Sequence, residues 1–172
     1  MSKIPRVLKN FGVFADGRGY LGLVPELTTP KLTRKMEEYR AGGMNAPIEL
    51  DMGMEKLECD WTLKDYNEDV LKLYGVVGHA AVALRFKGAL QADDADGTVT
   101  PIEIIVRGRL RELDQGGWKP GEGISMKMSM ACSYYKYTSG GATLIEIDVP
   151  HMVENVGGED RLAAVRRAIG AD

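Results

Sequence analysis

Residues able to carry out chemistry are few in this 172-residue sequence, and they do not form a recognisable set. Neither cysteine, Cys59 or Cys132, lies in a CxxC pair, and the two histidines, His79 and His151, are far apart. A zinc site or a Cys/His nucleophile is therefore poorly supported. Isolated cysteines of this kind are usually small buried hydrophobic residues. We expect no metal, no cofactor and no catalytic residue.

Acidic residues that could act as general acids or bases also lack partners. Glu37 and Glu38 are adjacent, and Glu49 lies close to Asp51, but no nucleophile or oriented base accompanies them. Acid/base catalysis requires such a geometry. These acids are typical of solvated strand faces, so we expect that the protein is not an enzyme. A site divided between subunits stays open at this point.

One glycine motif invites a nucleotide-binding interpretation. The segment GRGYLG, residues 17–22, matches GxGxxG, a pattern that has meaning only where a helix begins directly after it, because the phosphate binds at the helix N-terminus. Pro25 and Pro30 follow instead and favour extended backbone. The sequence predicts a hairpin turn at Asp16 and Gly17.

Composition and charge argue against several further classes of function. The net charge of -3 arises from 22 basic and 25 acidic residues, which gives no electrostatic reason to bind nucleic acid or an anionic membrane. No apolar run reaches the roughly 18 residues that span a bilayer, and the N-terminal residues do not resemble a signal peptide. We expect cytosolic synthesis, no stable membrane anchoring and a single domain over residues 1–172.

Alternation of apolar and polar residues dominates the chain and predicts antiparallel strands with one buried and one solvent-exposed face. In residues 48–63 the apolar phase shifts at Glu55 and Lys56, which predicts a bulge or bend there. The segment VALRFKGAL should pair across the acidic turn 91–100 with the strand that begins near Ile102. A later strand has one apolar face and one small polar face; the apolar set is Ile124, Met126, Met128, Met130 and Cys132, and the other is Ser125, Lys127, Ser129, Ala131 and Ser133.

Two short helices are predicted beside these strands. Asp65 is the expected N-cap of the first, with Glu68 completing a capping box and Gly75 ending the helix. The second precedes Gly170, and its apolar stripe consists of Leu162, Val165 and Ile169. The fold class is therefore mainly β: a single-domain β-sandwich or partly closed barrel with an extended β-hairpin arm and one or two short flanking helices.

The extended hairpin is predicted over residues 31–57. A charged arm runs from Lys31 to Arg40, the segment AGGMNAP turns, and the chain returns from Ile48. Pro47 suits an edge or a turn because it donates no backbone hydrogen bond. A two-stranded ribbon of this kind is marginal in water by itself.

Two further features leave alternatives open. Arg107, Arg109 and Arg111 form a basic stripe at strand spacing, but no aromatic residues are interleaved with it as in single-strand nucleic-acid binders, so paired charges explain it more simply.

The second alternative concerns function: the chain would be a small β-barrel module that binds an apolar ligand. Its candidate lining residues are the methionines at 126, 128 and 130 together with Trp61, Trp118, Tyr134 and Tyr135.

Several blocks of sequence, in order, resemble one family. They are FADGRGYLGLVPELTTPKLTRKMEEYRAGGMNAPIELDMGMEKLE, LRELDQGGWKPGE, SYYKYTSGGATLIEIDV and the terminal GGEDRLAAVRRAIG. Together they cover nearly the whole chain and resemble the major tail tube protein of contractile-tailed phages, a family shared with the tube of R-type pyocins.

The resemblance implies a structural protein whose hexameric rings stack into a hollow tube inside a contractile sheath. Such a tube ends on a baseplate and serves as a conduit for DNA in phages or as a membrane-piercing needle in pyocin-like particles. The implied partners are further copies of the chain and the sheath, tape-measure and baseplate proteins, and the implied location is the virion tail or a tail-like particle.

Candidate sites follow from combining the resemblance with the strand pattern. The hairpin is the expected contact between subunits, with Met44 as an apolar anchor; the proposed interface residues are Lys35, Arg40, Gly42, Gly43, Met44, Asn45 and Pro47. Acidic or neutral walls would let a phosphate backbone pass, whereas a basic wall would bind it. The candidate lumen-lining residues are therefore Glu49 and Asp51, or Ser125, Ser129 and Ser133.

Overall fold

Antiparallel strands form most of the protein in a computed structural model, which describes residues 4–93 and 97–171. The strands in chain order are β1 (Arg6–Ala15), β2 (Arg18–Gly19), β3 (Leu27–Thr28), β4 (Arg34–Tyr39), β5 (Ile48–Met54), β6 (Leu57–Leu63), β7 (Val82–Ala92), β8 (Val99–Asp114), β9 (Met126–Ser139), β10 (Ala142–Asp148), β11 (Val153–Val156) and β12 (Glu159–Asp160). The helices are α1 (Glu68–Leu71) and α2 (Ala163–Ile169).

The large sheet is an antiparallel meander with one branch. Its order is β12-β11-β10-β9-β8-β7-β1-β2, and β6 and β3 extend it from β9. The long strand β9 makes this possible, because its first half pairs with β6 and its second half with β10. No pairing joins β2 to β12 within the described residues, so the sheet is open. The predicted mainly-β class, with an incompletely closed sheet and short helices, is confirmed.

The predicted hairpin turn at Asp16 and Gly17 is confirmed. Ala15 pairs with Arg18, and the two turn residues have φ values of 47° and 82°. Positive φ at both central positions is the signature of a type I′ turn, whose twist matches that of the flanking strands. The GRGYLG motif thus begins a hairpin rather than a phosphate site.

The predicted pairing of VALRFKGAL with the following strand is also confirmed. Strands β7 and β8 pair without interruption from Val82 opposite Gly108 to Gln91 opposite Val99. Two of the acidic residues in the turn between them, Asp94 and Asp96, lie outside the described residues.

The methionine stripe forms the centre of the core. Met126, Met128 and Met130 are buried together with Trp61 and Val106. The prediction that Ile124 belongs to the same stripe is wrong: β9 begins only at Met126, and Ile124 lies before it with 40% of its surface exposed.

Both cysteines are inert packing residues, as expected. Cys59 is fully buried and Cys132 is half-buried, and neither forms a disulfide. Burial raises the pKa of the Cys59 thiol far above its ordinary value, and it raises that of Cys132 to about 12. Buried thiols of this kind stay protonated and unreactive.

The first helix begins later than predicted. Asn67, not Asp65, is its N-cap, and the Asn67 side-chain oxygen accepts hydrogen bonds from the backbone N–H groups of Asp69 (3.0 Å) and Val70 (3.3 Å). The prediction of Asp65 as the N-cap is wrong because the backbone at Asn67 is still extended. The first helical N–H groups that need a partner therefore lie beyond the reach of the Asp65 side chain. The second helix ends at Gly170 in the left-handed conformation, as predicted.

Candidate interaction surface

Strands β4 and β5 form a two-stranded antiparallel ribbon that is separate from the large sheet. Tyr39 lies opposite Ile48, and the pairing continues to Arg34 opposite Met54, with an irregularity beside Lys35. Both strands lie inside the predicted range 31–57, and the predicted bend at Glu55 and Lys56 separates β5 from β6. Leu57, at the end of that range, is already part of the buried core.

Most of the ribbon is exposed, including its apolar residues. Every residue of β4 is exposed, and so is every residue of β5 except Met54. The large apolar side chains between 42% and 55% exposed are Met36, Tyr39, Ile48, Leu50 and Met52. An isolated ribbon is marginally stable, and clustered exposed apolar groups mark interaction sites. The ribbon therefore has the properties of a docking element rather than of a solvated loop.

The ribbon carries a local group of acidic residues beside its basic residues Arg34, Lys35 and Arg40. Glu38 lies directly opposite Glu49 in the pairing register, and Glu37 is the neighbour of Glu38. Across the described ranges, no ion pair involves any of these three carboxylates. Like charges directly across a strand pair destabilise it. A cationic surface from outside the chain would remove that cost.

The tip of the ribbon is closed by its own contacts. The Met44 backbone N–H donates to the Ala41 carbonyl (3.2 Å), the Ala41 N–H donates to the Met44 sulfur (3.3 Å), and Arg40 Nε donates to the Met44 carbonyl (3.3 Å). Met44 is consequently half-buried, while Gly42, Gly43, Asn45 and Pro47 are exposed. The interface role of these tip residues and of Lys35 stays a prediction.

One arginine ties the base of the ribbon to the large sheet. Arg34 Nε donates to Asp51 within the ribbon (2.8 Å), and Arg34 Nη1 donates to Glu154 on β11 (2.9 Å). Burial alone would lower the pKa of Arg34, but Glu154 and Asp51 outweigh it and raise that pKa. Asp51 also accepts a hydrogen bond from the Gly53 N–H (2.9 Å). Of the two acidic lumen candidates, Asp51 therefore stabilises the base of the ribbon, whereas the Glu49 side chain forms no hydrogen bond or ion pair within the described part of the chain.

The serine candidates share a face with the arginine stripe. In the register, Ser129 lies opposite Glu112 and Ala131 lies opposite Arg109, and directly opposed residues of paired strands point to the same side. The Ser129 hydroxyl accepts a hydrogen bond from Arg111 Nη2 (3.0 Å). A wall lined by these serines would therefore include the arginines.

Ser125 and Ser133 occupy less regular positions. Ser125 is half-buried just before β9 begins. Ser133 sits at a register shift between β8 and β9, where its hydroxyl donates to the His79 carbonyl (2.7 Å). Ser133 therefore fastens the loop before β7 rather than presenting a free hydroxyl.

One ion pair neutralises part of the arginine stripe, and a ring contact orders another part of it. Arg111 pairs with Glu58, and hydrogen bonds from Lys56 and Arg111 hold the pKa of Glu58 below its usual range. The Arg107 guanidinium lies 4.5 Å from the centre of the Tyr134 ring. The charge of Arg111 is therefore balanced, while Arg107 keeps its charge beside an aromatic ring.

The residues proposed for an apolar ligand site do not line a common cavity. Trp61, Tyr135 and the three methionines are packed in the core, whereas Trp118 is 80% exposed. The Tyr134 hydroxyl donates to Glu146 (2.6 Å), and burial with this bond raises the pKa of Tyr134 to about 12. In residues 4–93 and 97–171 there is also no cluster of metal-binding side chains and no helix long and apolar enough to cross a bilayer.

Comparison with known proteins decides the family. A family model described as phage tail tube protein FII matches residues 5–170. The chain belongs to this phage tail tube family. The tail tube protein of Escherichia phage P2 is 43% identical over 170 residues, covering 97% of this chain and 98% of that protein. The major tail tube protein of Serratia phage KSP20 is 31% identical over 159 residues, covering 91% of each.

Solved structures share the fold of this tail tube protein at low identity. A chain from the extended sheath-tube complex of the extracellular contractile injection system PVC superimposes with a TM-score of 0.58 at 9% identity, covering 78% of this chain and 92% of that one. A chain from the tube-terminating cap of the anti-feeding prophage gives a TM-score of 0.60 at 9% identity, covering 81% and 94%. The resemblance read from the sequence blocks is confirmed.

Sequence reasoning placed the candidate contacts of the tail tube protein at Lys35 and around the ribbon tip, and it did not include the exposed apolar residues of the ribbon strands. The missed residues are the exposed apolar side chains Met36, Tyr39, Ile48, Leu50 and Met52. A signal was present, because β5 alternates apolar with acidic residues while β4 contributes only Met36 and Tyr39 as large apolar residues. Such alternation with nothing to cover the apolar side is typical of interaction surfaces.

Proposed function

We propose that this tail tube protein assembles into rings of six copies that stack as the hollow inner tube of a contractile tail. The observation that carries the proposal is the ribbon of β4 and β5, whose large apolar side chains are exposed without a covering surface in the described residues. The family relationship and the likeness of fold to a chain of a sheath-tube complex support it.

Ring formation and stacking place different demands on the surface. A head-to-tail contact closes into a ring when its rotation allows, and a second, open contact stacks the rings into a filament. The edges of the large sheet at β2 and β12 have no further strand beside them in the described ranges. Unpaired edges are a liability unless covered, so neighbouring copies would cover them in the ring. The ribbon would couple one copy to others.

The channel is proposed to carry DNA, or to act as a needle in a tail-like particle. The candidate wall residues are Glu49 and Asp51, or Ser125, Ser129 and Ser133. An acidic wall, or one whose charges are balanced like those around Ser129, would not retain a phosphate backbone as a basic wall does. The ion pair of Arg111 with Glu58 supports the balanced form of the second wall.

The remaining partners follow from the same proposal. The outer surface of the tube would meet a sheath protein, the lumen would hold a tape-measure protein during assembly, and the end would rest on a baseplate. Synthesis would take place in the host cytoplasm, and the assembled protein would belong to the virion tail. The role is structural, with no enzymatic step and no cofactor.

The ribbon can be tested by electron microscopy of purified protein. We expect hollow tubes from the unaltered chain and none from the double variant Ile48→Ser with Leu50→Ser. The control is Val77→Ser, which removes an apolar side chain that is 90% exposed outside the ribbon and should leave the tubes intact. Deletion of residues 41–47 should also abolish the tubes. Tubes of normal length and stability from the double variant would overturn the assigned role of the ribbon.

A further inference from the structure

The base of the ribbon borders an open cleft of about 600 Å³. Both the ribbon and the region of β10 and β11 contribute walls; they include Arg34, Asp51 and Met54 on the ribbon, and Ile147, Met152 and Glu154 on the other side. Packed protein interiors leave few voids larger than a water molecule. A cleft of this size therefore leaves the ribbon room to change its direction relative to the large sheet.

Two connections join the ribbon to the rest of the chain, and neither belongs to a helix or strand. Residues 29–33 lead into β4, and Glu55 and Lys56 lead out of β5. The Glu55 backbone N–H donates to the Thr33 carbonyl (2.9 Å), which holds the two connections side by side. Next to this crossing, Met54 packs against the buried core. The result is a narrow base about which the ribbon can turn unless another contact prevents it.

One guanidinium provides that other contact. Arg34 Nε bonds Asp51 within the ribbon, and Arg34 Nη1 bonds Glu154 on β11. Within residues 4–93 and 97–171, no other side-chain hydrogen bond or ion pair joins β4 or β5 to the large sheet. Because the guanidinium is planar and bonds both carboxylates at once, it sets their relative position more closely than a compact charge would.

The burial of Glu154 makes release of this bond unfavourable. Glu154 is 8% exposed, and its carboxylate has no other bonded partner in the described part of the chain. If the ribbon turned away, Asp51 would move with Arg34, but Glu154 would be left as an unpaired buried charge. Leaving such a charge is strongly unfavourable, whereas an intact buried ion pair adds little stability over apolar residues of similar volume. The pair is therefore better suited to fixing an orientation than to stabilising the fold.

We propose that the Arg34–Glu154 ion pair is a positioning contact, which holds the ribbon in one direction and so presents its apolar face to a neighbouring copy. That face carries Tyr39, Ile48 and Leu50, which the strand register places on one side. A docking element that is already oriented loses less freedom on binding. The docking step rests on the proposed function, whereas the orientation of the ribbon is a property of the single subunit.

Distance measurements between two spin labels on single subunits test the positioning role. The labels are attached at Asn45→Cys in the exposed tip and at Glu159→Cys on β12, in the Ile48→Ser, Leu50→Ser background, and chromatography checks that each sample is a single subunit. We expect one narrow distance distribution while Glu154 is present and the loss of that narrow distribution in Glu154→Leu.

The matched control is Glu146→Leu. Glu146 lies on the neighbouring strand β10, and its carboxylate bonds Tyr134 and pairs with Lys136 inside the large sheet rather than with the ribbon. Its removal should leave the distribution narrow. A Glu154→Leu distribution as narrow as that of Glu146→Leu would overturn the positioning role, and so would a broad distribution in the background that keeps both acids.

A double variant guards against a folding defect that Arg34 left alone could cause. Arg34→Met combined with Glu154→Leu leaves neither charge without its partner, and apolar replacement of a buried pair is usually tolerated. The double variant should lose the narrow distribution as well. A narrow distribution in the folded double variant would also overturn the positioning role.

Tube assembly separates this inference from the proposed function. In the otherwise unaltered chain, Glu154→Leu should need a protein concentration about tenfold higher than Glu146→Leu to form tubes, because the freedom gained by the ribbon is lost again on docking. Equal concentrations would refute the link between orientation and docking and leave the tube intact. If the unaltered chain forms no tubes under any assembly condition, the proposed function fails, and the spin-label distances still decide the positioning role.

Discussion

Among the glycines of the described residues, Gly108 has the tightest backbone approach, at a point where β8 pairs with β9. A Cβ atom added there would lie 2.1 Å from the Ala131 carbonyl oxygen and 2.8 Å from Cys132 Cα. Ordinary C···O contacts are about 3.3 Å, so the two strands would have to separate by roughly 1 Å. The obstacle is backbone, which cannot turn aside as a side chain can. Gly108→Ala is therefore expected to strain the centre of the sheet.

The magnitude follows from the cost of overpacking. Forcing extra atoms into a packed interior costs about 1–3 kcal/mol, and a backbone clash belongs at the upper end. For a chain of this size, a loss of about 3 kcal/mol lowers Tm by about 6–12 °C. The matched control is Gly117→Ala, where an added Cβ meets nothing within 4 Å. That substitution should leave stability within about 1 kcal/mol of the parent, on the stabilising side.

Urea unfolding followed by circular dichroism measures the difference. Both substitutions are made in the Ile48→Ser, Leu50→Ser background, so that association does not contribute, and chromatography checks that each variant is a single subunit. The free energy of unfolding should fall for Gly108→Ala alone. Equal urea midpoints for Gly108→Ala and Gly117→Ala would show that β8 and β9 are not in close backbone contact at Gly108, and would refute the predicted clash.

Three further outcomes are expected. Asn67→Ala should cost about 0.5–2 kcal/mol in urea unfolding through loss of the α1 cap, and an unchanged midpoint would contradict the capping geometry. Alkylation of Cys132 at pH 8 should be on the order of a thousandfold slower in the folded protein than in the unfolded protein, since the pKa of Cys132 is about 12 in the fold. Cys59 should be protected as well, and rapid labelling of either thiol in the folded protein would contradict their burial. The hydrogen bond from Arg166 lowers the pKa of Asp160, so the contribution of Asp160 to stability is full above about pH 4 and is lost as pH falls through the pKa of the folded protein. The urea midpoint of the parent should therefore exceed that of Asp160→Asn at neutral pH, and the difference should close in acid. A difference that widened in acid would refute the pairing.

Periodic features of the chain were predictable because their physical cause is local. Alternation identified the buried methionines of β9 and the pairing of β7 with β8. The Asp16-Gly17 turn followed from the φ values that a tight hairpin demands. Each of these depends on residues that are neighbours in sequence or directly across one turn.

Boundaries and exposed surfaces were harder because several residues compete for them. Asp65 and Asn67 can both cap a helix, and only the extended backbone at Asn67 decides between them. Ile124 continues the alternation of β9, but the strand starts after it. The apolar residues of β5 look like core residues in the sequence, and they are exposed because β4 and β5 leave the large sheet.

The facing carboxylates of Glu38 and Glu49 have a consequence for the pool of newly made copies. Exposed ribbons with apolar residues tend to pair edge to edge into aggregates, and charge on such edges is a common protection. Two ribbons that met at these positions would bring four carboxylates together, so local repulsion would oppose that pairing. Raised ionic strength should weaken this repulsion, since exposed charges are screened by salt. The same carboxylates that weaken the isolated ribbon would thus keep it available until a surface of opposite charge is within reach.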